Sequence, residues 1–92
     1  MCLASVAIEW LVYATALRIG PYRFYFYSHE PNEPAHIHVD RDALSAKFWL
    51  DPVSLARNFG FNARELNTLH SLVTAHKTAF LEAWNGYFGV NS

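Results

Sequence analysis

The stretch Glu33-Pro34-Ala35-His36-Ile37-His38-Val39 decides the fold, because histidine and aliphatic residues alternate in it. Successive side chains of a β-strand point to opposite faces. The alternation therefore predicts a strand with Ile37 and Val39 on one face and with His36 and His38 on the other. We expect the aliphatic pair to be buried and the imidazole pair to be presented on the opposite face.

A second alternating stretch, residues 45–50, follows a polar turn at residues 40–43 and predicts the neighbouring strand. Phe48 and Leu50 alternate with Lys47 and Trp49 along it. If the two apolar residues are buried with the aliphatic pair of the first strand, the parity of the register is fixed, because a slip of one residue would turn every side chain to the wrong face. Lys47 and Trp49 then share the histidine face.

A third strand is predicted over residues 22–27, a β-prone aromatic run that begins after the turn signal Gly20-Pro21. Phe24 and Phe26 alternate toward the core, and residues 28–34 are a polar loop with two prolines. The prediction is a three-stranded antiparallel sheet with a cationic and aromatic outer face. That face carries Arg23, Tyr25, Tyr27, His36, His38, Lys47 and Trp49.

Two helices are predicted after the sheet. Asp51 and Pro52 are typical of a helix start, which predicts a short helix over residues 53–58 that ends before Gly60. A second, longer helix is predicted from the cap Asn62 to Gly86. The expected fold class is α+β in the order βββαα. The predicted core consists of Phe24, Phe26, Ile37, Val39, Phe48, Leu50, Leu66, Leu69, Val73, Phe80 and Trp84.

The composition indicates one small domain. The chain has 92 residues, of which 52% are hydrophobic and 16% charged, and this excludes a disordered protein. The net charge of −1 excludes bulk attraction to nucleic acid or to an anionic membrane, so either contact needs a local basic patch. The aromatic content of 16% leaves a homo-oligomer or a partner surface open.

Residues 1–16 are predicted to be an N-terminal extension of uncertain structure, and residues 17–89 a single domain. The extension has no basic residue and contains Glu9, so it resembles neither a secretory signal nor a membrane span. Cys2 is the single cysteine, which excludes an internal disulfide and fits a reducing compartment. We expect a cytoplasmic protein without a membrane contact.

The segments LRIGPYRFYFYS, EPAHIHV, AKFWLDPVSLARNFGF and LEAWNGYFG resemble a family of small bacterial proteins classed as a domain of unknown function. The resemblance covers residues 17–89. It implies membership in toxin–antitoxin-type gene pairs, and therefore a small protein partner that is encoded nearby. Typical members of that family begin a few residues before the LRIG segment, so residues 1–13 depart from its pattern. The resemblance implies no catalytic role for any residue.

The His-x-His pattern also suggests a metal site, because two imidazoles on one face of a strand are a recurrent half of a zinc or iron site. The residues available as a third ligand are His29, Glu33 and Asp40. Lys47 is expected beside the pair, and an ammonium group close to a divalent cation is unfavourable. We therefore expect neither a metal nor another cofactor.

The same lysine favours an anion, and RNA is the natural ligand to consider. His36 and His38 could act as acid and base on either side of a phosphate, with Lys47 stabilising the developing charge, which would give RNA cleavage without a metal. Aromatic side chains could stack on unpaired bases. The residues expected to bind the ligand are Arg23, Tyr25, Tyr27, Glu33 and Trp49.

Two other interpretations stay open beside RNA recognition. The histidines could be structural and the aromatic face could be covered by a partner protein. A helix-turn-helix is suggested by the spacing of Ala56, Gly60, Leu66 and Leu69, but the net charge makes DNA binding the least favoured reading. The sequence does not decide between an enzyme and a binding protein.

Overall fold

The computed structural model describes residues 13–27 and 33–88. Its elements are β1 (Tyr13–Ile19), β2 (Tyr22–Tyr27), β3 (His36–Arg41), β4 (Leu44–Leu50), β5 (Val53–Phe59), α1 (Ala63–Ala75) and α2 (Lys77–Phe88). The strands form one antiparallel sheet in the order β1-β2-β3-β4-β5. The α+β class is confirmed. Neither described helix is both long and apolar enough to cross a membrane.

The predicted number of strands is wrong, because the sheet has five strands and not three. The segment predicted as a short helix is strand β5, which pairs with β4. Asp51 and Pro52 form the two-residue connection between the paired residues Leu50 and Val53, and do not start a helix. An Asp-Pro pair is common in tight turns as well as at helix starts, so it did not distinguish the two. Pairing with β4 gives the backbone of β5 its hydrogen-bond partners.

The other additional strand, β1, lies at the opposite edge of the described sheet and pairs with β2. It begins at Tyr13, so the predicted division at residue 17 falls inside a strand. Its register shifts between Thr15 and Leu17. Gly20, with φ 55°, allows the two-residue turn into β2, since only glycine adopts this conformation at little cost. The rest of the predicted extension, residues 1–12, lies outside the described residues.

The predicted parity of the central strands is confirmed by their register. Ile37 is the partner of Phe48, and His38 is the partner of Lys47. The apolar face, which we call the inner face, packs against the helices. Its buried cluster consists of Phe24, Phe26, Ile37, Val39, Ala46, Phe48, Leu50, Phe61, Leu69, Val73, Phe80 and Trp84. Leu66, also predicted for the core, is partly buried and packs against this cluster.

The predicted helix start is confirmed, because the side chain of Asn62 accepts a hydrogen bond of 2.8 Å from the backbone N–H of Glu65. The predicted single long helix is wrong. It is divided at His76, which has φ −110° and ψ 16° and whose Nδ1 donates to the carbonyl oxygen of Leu72 at 3.0 Å. Both helices nevertheless contribute to the same buried cluster, α1 with Leu69 and Val73 and α2 with Phe80 and Trp84.

An ion pair attaches α1 to the sheet. Arg41 binds both carboxylate oxygens of Glu65, at 2.5 Å from Nε and at 2.8 Å from the terminal nitrogen. The hydroxyl of Tyr22 donates to the same carboxylate at 2.7 Å. The bond from Arg41, and next that from Tyr22, lowers the pKa of Glu65. The charged form of Glu65 is therefore the one that the folded state favours.

We expect Phe48→Ala to destabilise the protein by about 3–5 kcal/mol, because it removes a ring that is 1% exposed and leaves a cavity in the core. Phe59→Ala on the adjacent strand is the matched control, since Phe59 is 58% exposed. Its effect should stay within about 0.5 kcal/mol. Urea unfolding of both variants measures the difference. Similar midpoints for the two would contradict the register described above.

The Arg41–Glu65 pair predicts a pH dependence of stability. A carboxyl whose pKa is lowered by folding stabilises the protein above the unfolded-state pKa, about 4.3 for Glu, and this contribution disappears as the pH falls through the folded-state pKa. Glu65→Gln should therefore lower the urea midpoint at pH 7, and the difference from the wild type should shrink toward pH 3. The exposed Glu82→Gln is the control. A difference for Glu65→Gln that is the same at both pH values would contradict the ion-pair origin.

Candidate functional site

A row of polar side chains crosses the face of the sheet opposite to the core, which we call the outer face. Tyr25 of β2 is the register partner of His38 in β3, and His38 is the partner of Lys47 in β4. Lys47 is in turn the partner of Arg57 in β5. Four consecutive strands thus each contribute one residue to this row, and two of the four carry a full positive charge.

A neighbouring row of the outer face runs from Arg23 through Asp40 and Ser45 to Phe59. The two rows are connected, because the hydroxyl of Tyr25 donates to Oδ1 of Asp40 at 3.1 Å and the guanidinium of Arg23 lies 4.4 Å from the centre of the Tyr25 ring. The acidic Asp40 and the basic Arg23 are therefore both engaged with Tyr25 at the β2 side of the sheet.

A cavity of about 300 Å³ opens on the outer face. Its walls combine two cations, one carboxylate, hydroxyl groups and aromatic rings. It is lined by Tyr25, Tyr27, Glu33, His38, Ser45, Ala46, Lys47, Arg57 and Phe59. We call this the outer cavity. Five of the eight residues that the sequence predicted for the site line this cavity, and the four other lining residues are Ser45, Ala46, Arg57 and Phe59.

The two cations of the outer cavity have different surroundings. Lys47 Nζ is 2.7 Å from Oε1 of Glu33 and 4.7 Å from the centre of the Trp49 ring, and the lysine side chain is only 13% exposed. The side chain of Arg57, by contrast, makes no hydrogen bond or ion pair with any residue in the described part of the chain. Like charges directly opposite each other on paired strands are destabilising, and the ion pair with Glu33 offsets this repulsion at Lys47.

Three aromatic rings of the outer cavity pack on one another. The ring of His38 is stacked on Tyr25, with 5.3 Å between centroids, and meets Tyr27 edge-on at 4.8 Å. Tyr25 is 5% exposed, and its pKa is raised well above the usual range, mainly by burial and then by its hydrogen bonds. Its hydroxyl therefore keeps its proton at neutral pH and acts as a donor to Asp40.

The sequence predicted that His36 is presented on the outer face, and this prediction is wrong. His36 is the first residue of β3 and is not exposed to solvent. It is completely buried, and its ring lies 4.9 Å from that of Trp84, which α2 brings over this end of the sheet. Nδ1 of His36 donates to the carbonyl oxygen of Pro34 at 2.8 Å. His36 does not line the outer cavity, and it lies instead between Trp49, Trp84 and His38.

The carboxylates named as metal ligands have other partners. Glu33 binds Lys47, and Asp40 accepts from Tyr25. Within residues 13–27 and 33–88, no group of three or more His, Cys, Asp or Glu side chains is arranged to hold a metal ion. His29, the remaining predicted ligand, lies outside the described residues.

The helix-turn-helix interpretation is wrong. It required Ala56 to lie in a first helix and Gly60 in the turn between two helices. Ala56 lies instead in strand β5, and Gly60 follows the end of that strand. At Gly60 the backbone has φ 106°, and an added Cβ would come within 2.5 Å of Leu44, so glycine suits the chain reversal before α1.

Residues 22–85 match the family model described as Domain of unknown function (DUF4160). The chain belongs to this family. The expectation of a domain-of-unknown-function family is thereby confirmed, and the DUF4160 range contains every residue that lines the outer cavity. Comparisons with curated proteins and with solved structures gave no significant match.

The sequence prediction missed four residues that line the outer cavity, namely Ser45, Ala46, Arg57 and Phe59. Ser45 lies two residues before Lys47, so the alternation of β4 places it on the outer face, whereas Ala46 belongs to the buried cluster of the inner face. Arg57 and Phe59 were missed because their segment was read as a helix. The signal that could have found them is the two-residue spacing between residues 44–50 and 53–59, which is typical of a β-hairpin.

Proposed function

We propose that the protein binds the phosphate groups of an RNA ligand in the outer cavity. The observation that carries the proposal is the pair Lys47 and Arg57, which face each other across β4 and β5 on the wall of that cavity. Folding stability alone does not favour two like charges at opposed positions. A bound phosphate would relieve this repulsion, and it would use the planar donor fork of Arg57.

Glu33 gives the site a counter-ion in the absence of ligand. Its carboxylate lies 2.7 Å from Nζ of Lys47, at a position that one phosphate oxygen could take. With His38 neutral, Lys47, Arg57 and Glu33 leave one positive charge in excess at the cavity. The protein as a whole carries −1, so this local patch is what would attract an anion.

The geometry favours binding without cleavage. Acid–base catalysis by two histidines needs both imidazoles within hydrogen-bond reach of the reacting phosphate. His38 lines the outer cavity, whereas His36 is completely buried and does not line it. We therefore propose an RNA-binding rather than an RNA-cleaving role, with His38 as a further donor to the ligand. RNA binding would also fit a cytoplasmic location.

The proposal predicts how single substitutions change the binding of a fluorescent RNA of ten uridines, measured by anisotropy at low salt with a chelator present. Arg57→Ala and Lys47→Ala should each weaken binding by about tenfold, as expected for the loss of one charge-assisted contact. Glu33→Gln should strengthen binding, because it releases Lys47. The RNA should stay full-length throughout.

The matched control is Arg64→Ala, since Arg64 is an exposed cation on α1, on the other side of the sheet. Its affinity should equal that of the wild type. Absence of binding by the wild type, or an Arg64→Ala effect as large as that of Arg57→Ala, would contradict a site in the outer cavity.

A second candidate function is binding of a small protein encoded nearby, as the resemblance to toxin–antitoxin-type gene pairs implies. The observation that favours it is that β5, an edge strand of the described sheet, carries the exposed apolar side chains Leu55 and Phe59. The test is co-expression with the genomic neighbour. We expect the two proteins to co-purify as a complex and Leu55→Asp to disrupt this complex. We also expect cell growth to differ between expression of the protein alone and expression together with its neighbour. No complex and no growth difference would exclude this function.

A further inference from the structure

The apolar ring of Phe59 is exposed to solvent near the two cations of the outer cavity, Lys47 and Arg57. Its side chain is 58% exposed, it lines the outer cavity, and it lies two residues from Arg57 on the same face of β5. Its cross-strand partner is the small residue Ser45, which leaves the ring without a large neighbour on that strand. A phosphate ion alone would gain nothing from a ring at this position.

The other aromatic rings that could stack on bases already contact neighbouring side chains. Tyr25 is stacked on His38, and Tyr27 meets both of these rings edge-on, at 5.6 Å and 4.8 Å. The ring of Trp49 has the ammonium group of Lys47 over it. Among the described residues that line the cavity, Phe59 is therefore the exposed aromatic ring.

We infer that the ligand is a single-stranded nucleic acid with an unpaired base stacked on Phe59 and an adjacent phosphate bound by Arg57 and Lys47. This inference rests on the phosphate site proposed above and adds the class of ligand. Stacking on an aromatic ring is the usual way in which proteins hold unpaired bases, and it is tolerant of sequence because every base has a π-face. A duplex is not suited to the site, because its bases are stacked inside the helix.

The test compares two strands of equal length and charge. One is the RNA of ten uridines, and the other is a stable abasic strand of ten units that has the phosphates and no bases. The wild type should bind the base-bearing strand about tenfold more tightly than the abasic strand, the difference expected for one stacked base. Phe59→Ala should remove this preference and leave the affinity for the abasic strand unchanged.

Two further variants separate stacking from a change of shape. Phe59→Trp should keep the preference, because it retains an aromatic face, and Leu55→Ala should keep it as well, because Leu55 is equally an exposed apolar residue of β5 but does not line the cavity. Equal binding of both strands by the wild type, still lost in Arg57→Ala, would overturn the stacking inference and leave the phosphate site standing. An equal loss for both strands in Phe59→Ala would likewise overturn it. Absence of binding to either strand would refute the phosphate site itself.

Discussion

The position of each polar side chain on the outer face depends on the burial of the apolar residues directly behind it. Val39 and Ile37 of β3 are completely buried, as is their neighbour Phe24 in β2. A slip of one residue in either strand would expose these side chains and bury charged ones in their place. The core therefore fixes the register, and the register brings His38 and Lys47 side by side.

The alternation of β2, β3 and β4 could be read from the sequence because each of these strands has one apolar face and one face of polar or amphipathic side chains. The same kind of reasoning failed for β5. Its central residues, Ala56, Arg57 and Asn58, show no clear alternation, and a bulge between the partners of Lys47 and Phe48 shifts the phase inside the strand. The strand is specified by its pairing with β4, which is a tertiary interaction that local propensity does not report.

The burial of His36 could not be predicted from the alternation of β3 either. A strand pattern tells which side a residue points to, and it does not tell what lies above that side. Trp84, nearly fifty positions later in the chain, packs on the imidazole. The two histidines of one motif thus differ in role, because His36 anchors the segment that carries Glu33 and His38 faces the outer cavity. The contact with Trp84 therefore gives the two histidines of the His-x-His motif different surroundings.

The charge arrangement links stability to function. On the helix side, Glu65 and Arg41 form an ion pair that balances their charges and attaches α1 to the sheet. In the outer cavity the two cations Lys47 and Arg57 face one carboxylate, Glu33, and the side chain of Arg57 has no acidic partner among residues 13–27 and 33–88. The bound phosphate that we propose would balance the remaining charge, and binding to the folded state alone would stabilise that state. This is the physical reason to regard the outer cavity, and not the His-x-His motif alone, as the functional site.

The most direct test of this view is an NMR titration of the ¹⁵N-labelled protein with the RNA of ten uridines. We predict that the largest shifts of backbone amide signals fall on β4 and β5 around Lys47, Arg57 and Phe59, and that the signals of the exposed side of α1 around Arg64 stay in place. Largest shifts on α1 or α2, or no shifts at RNA concentrations far above that of the protein, would contradict a ligand site in the outer cavity.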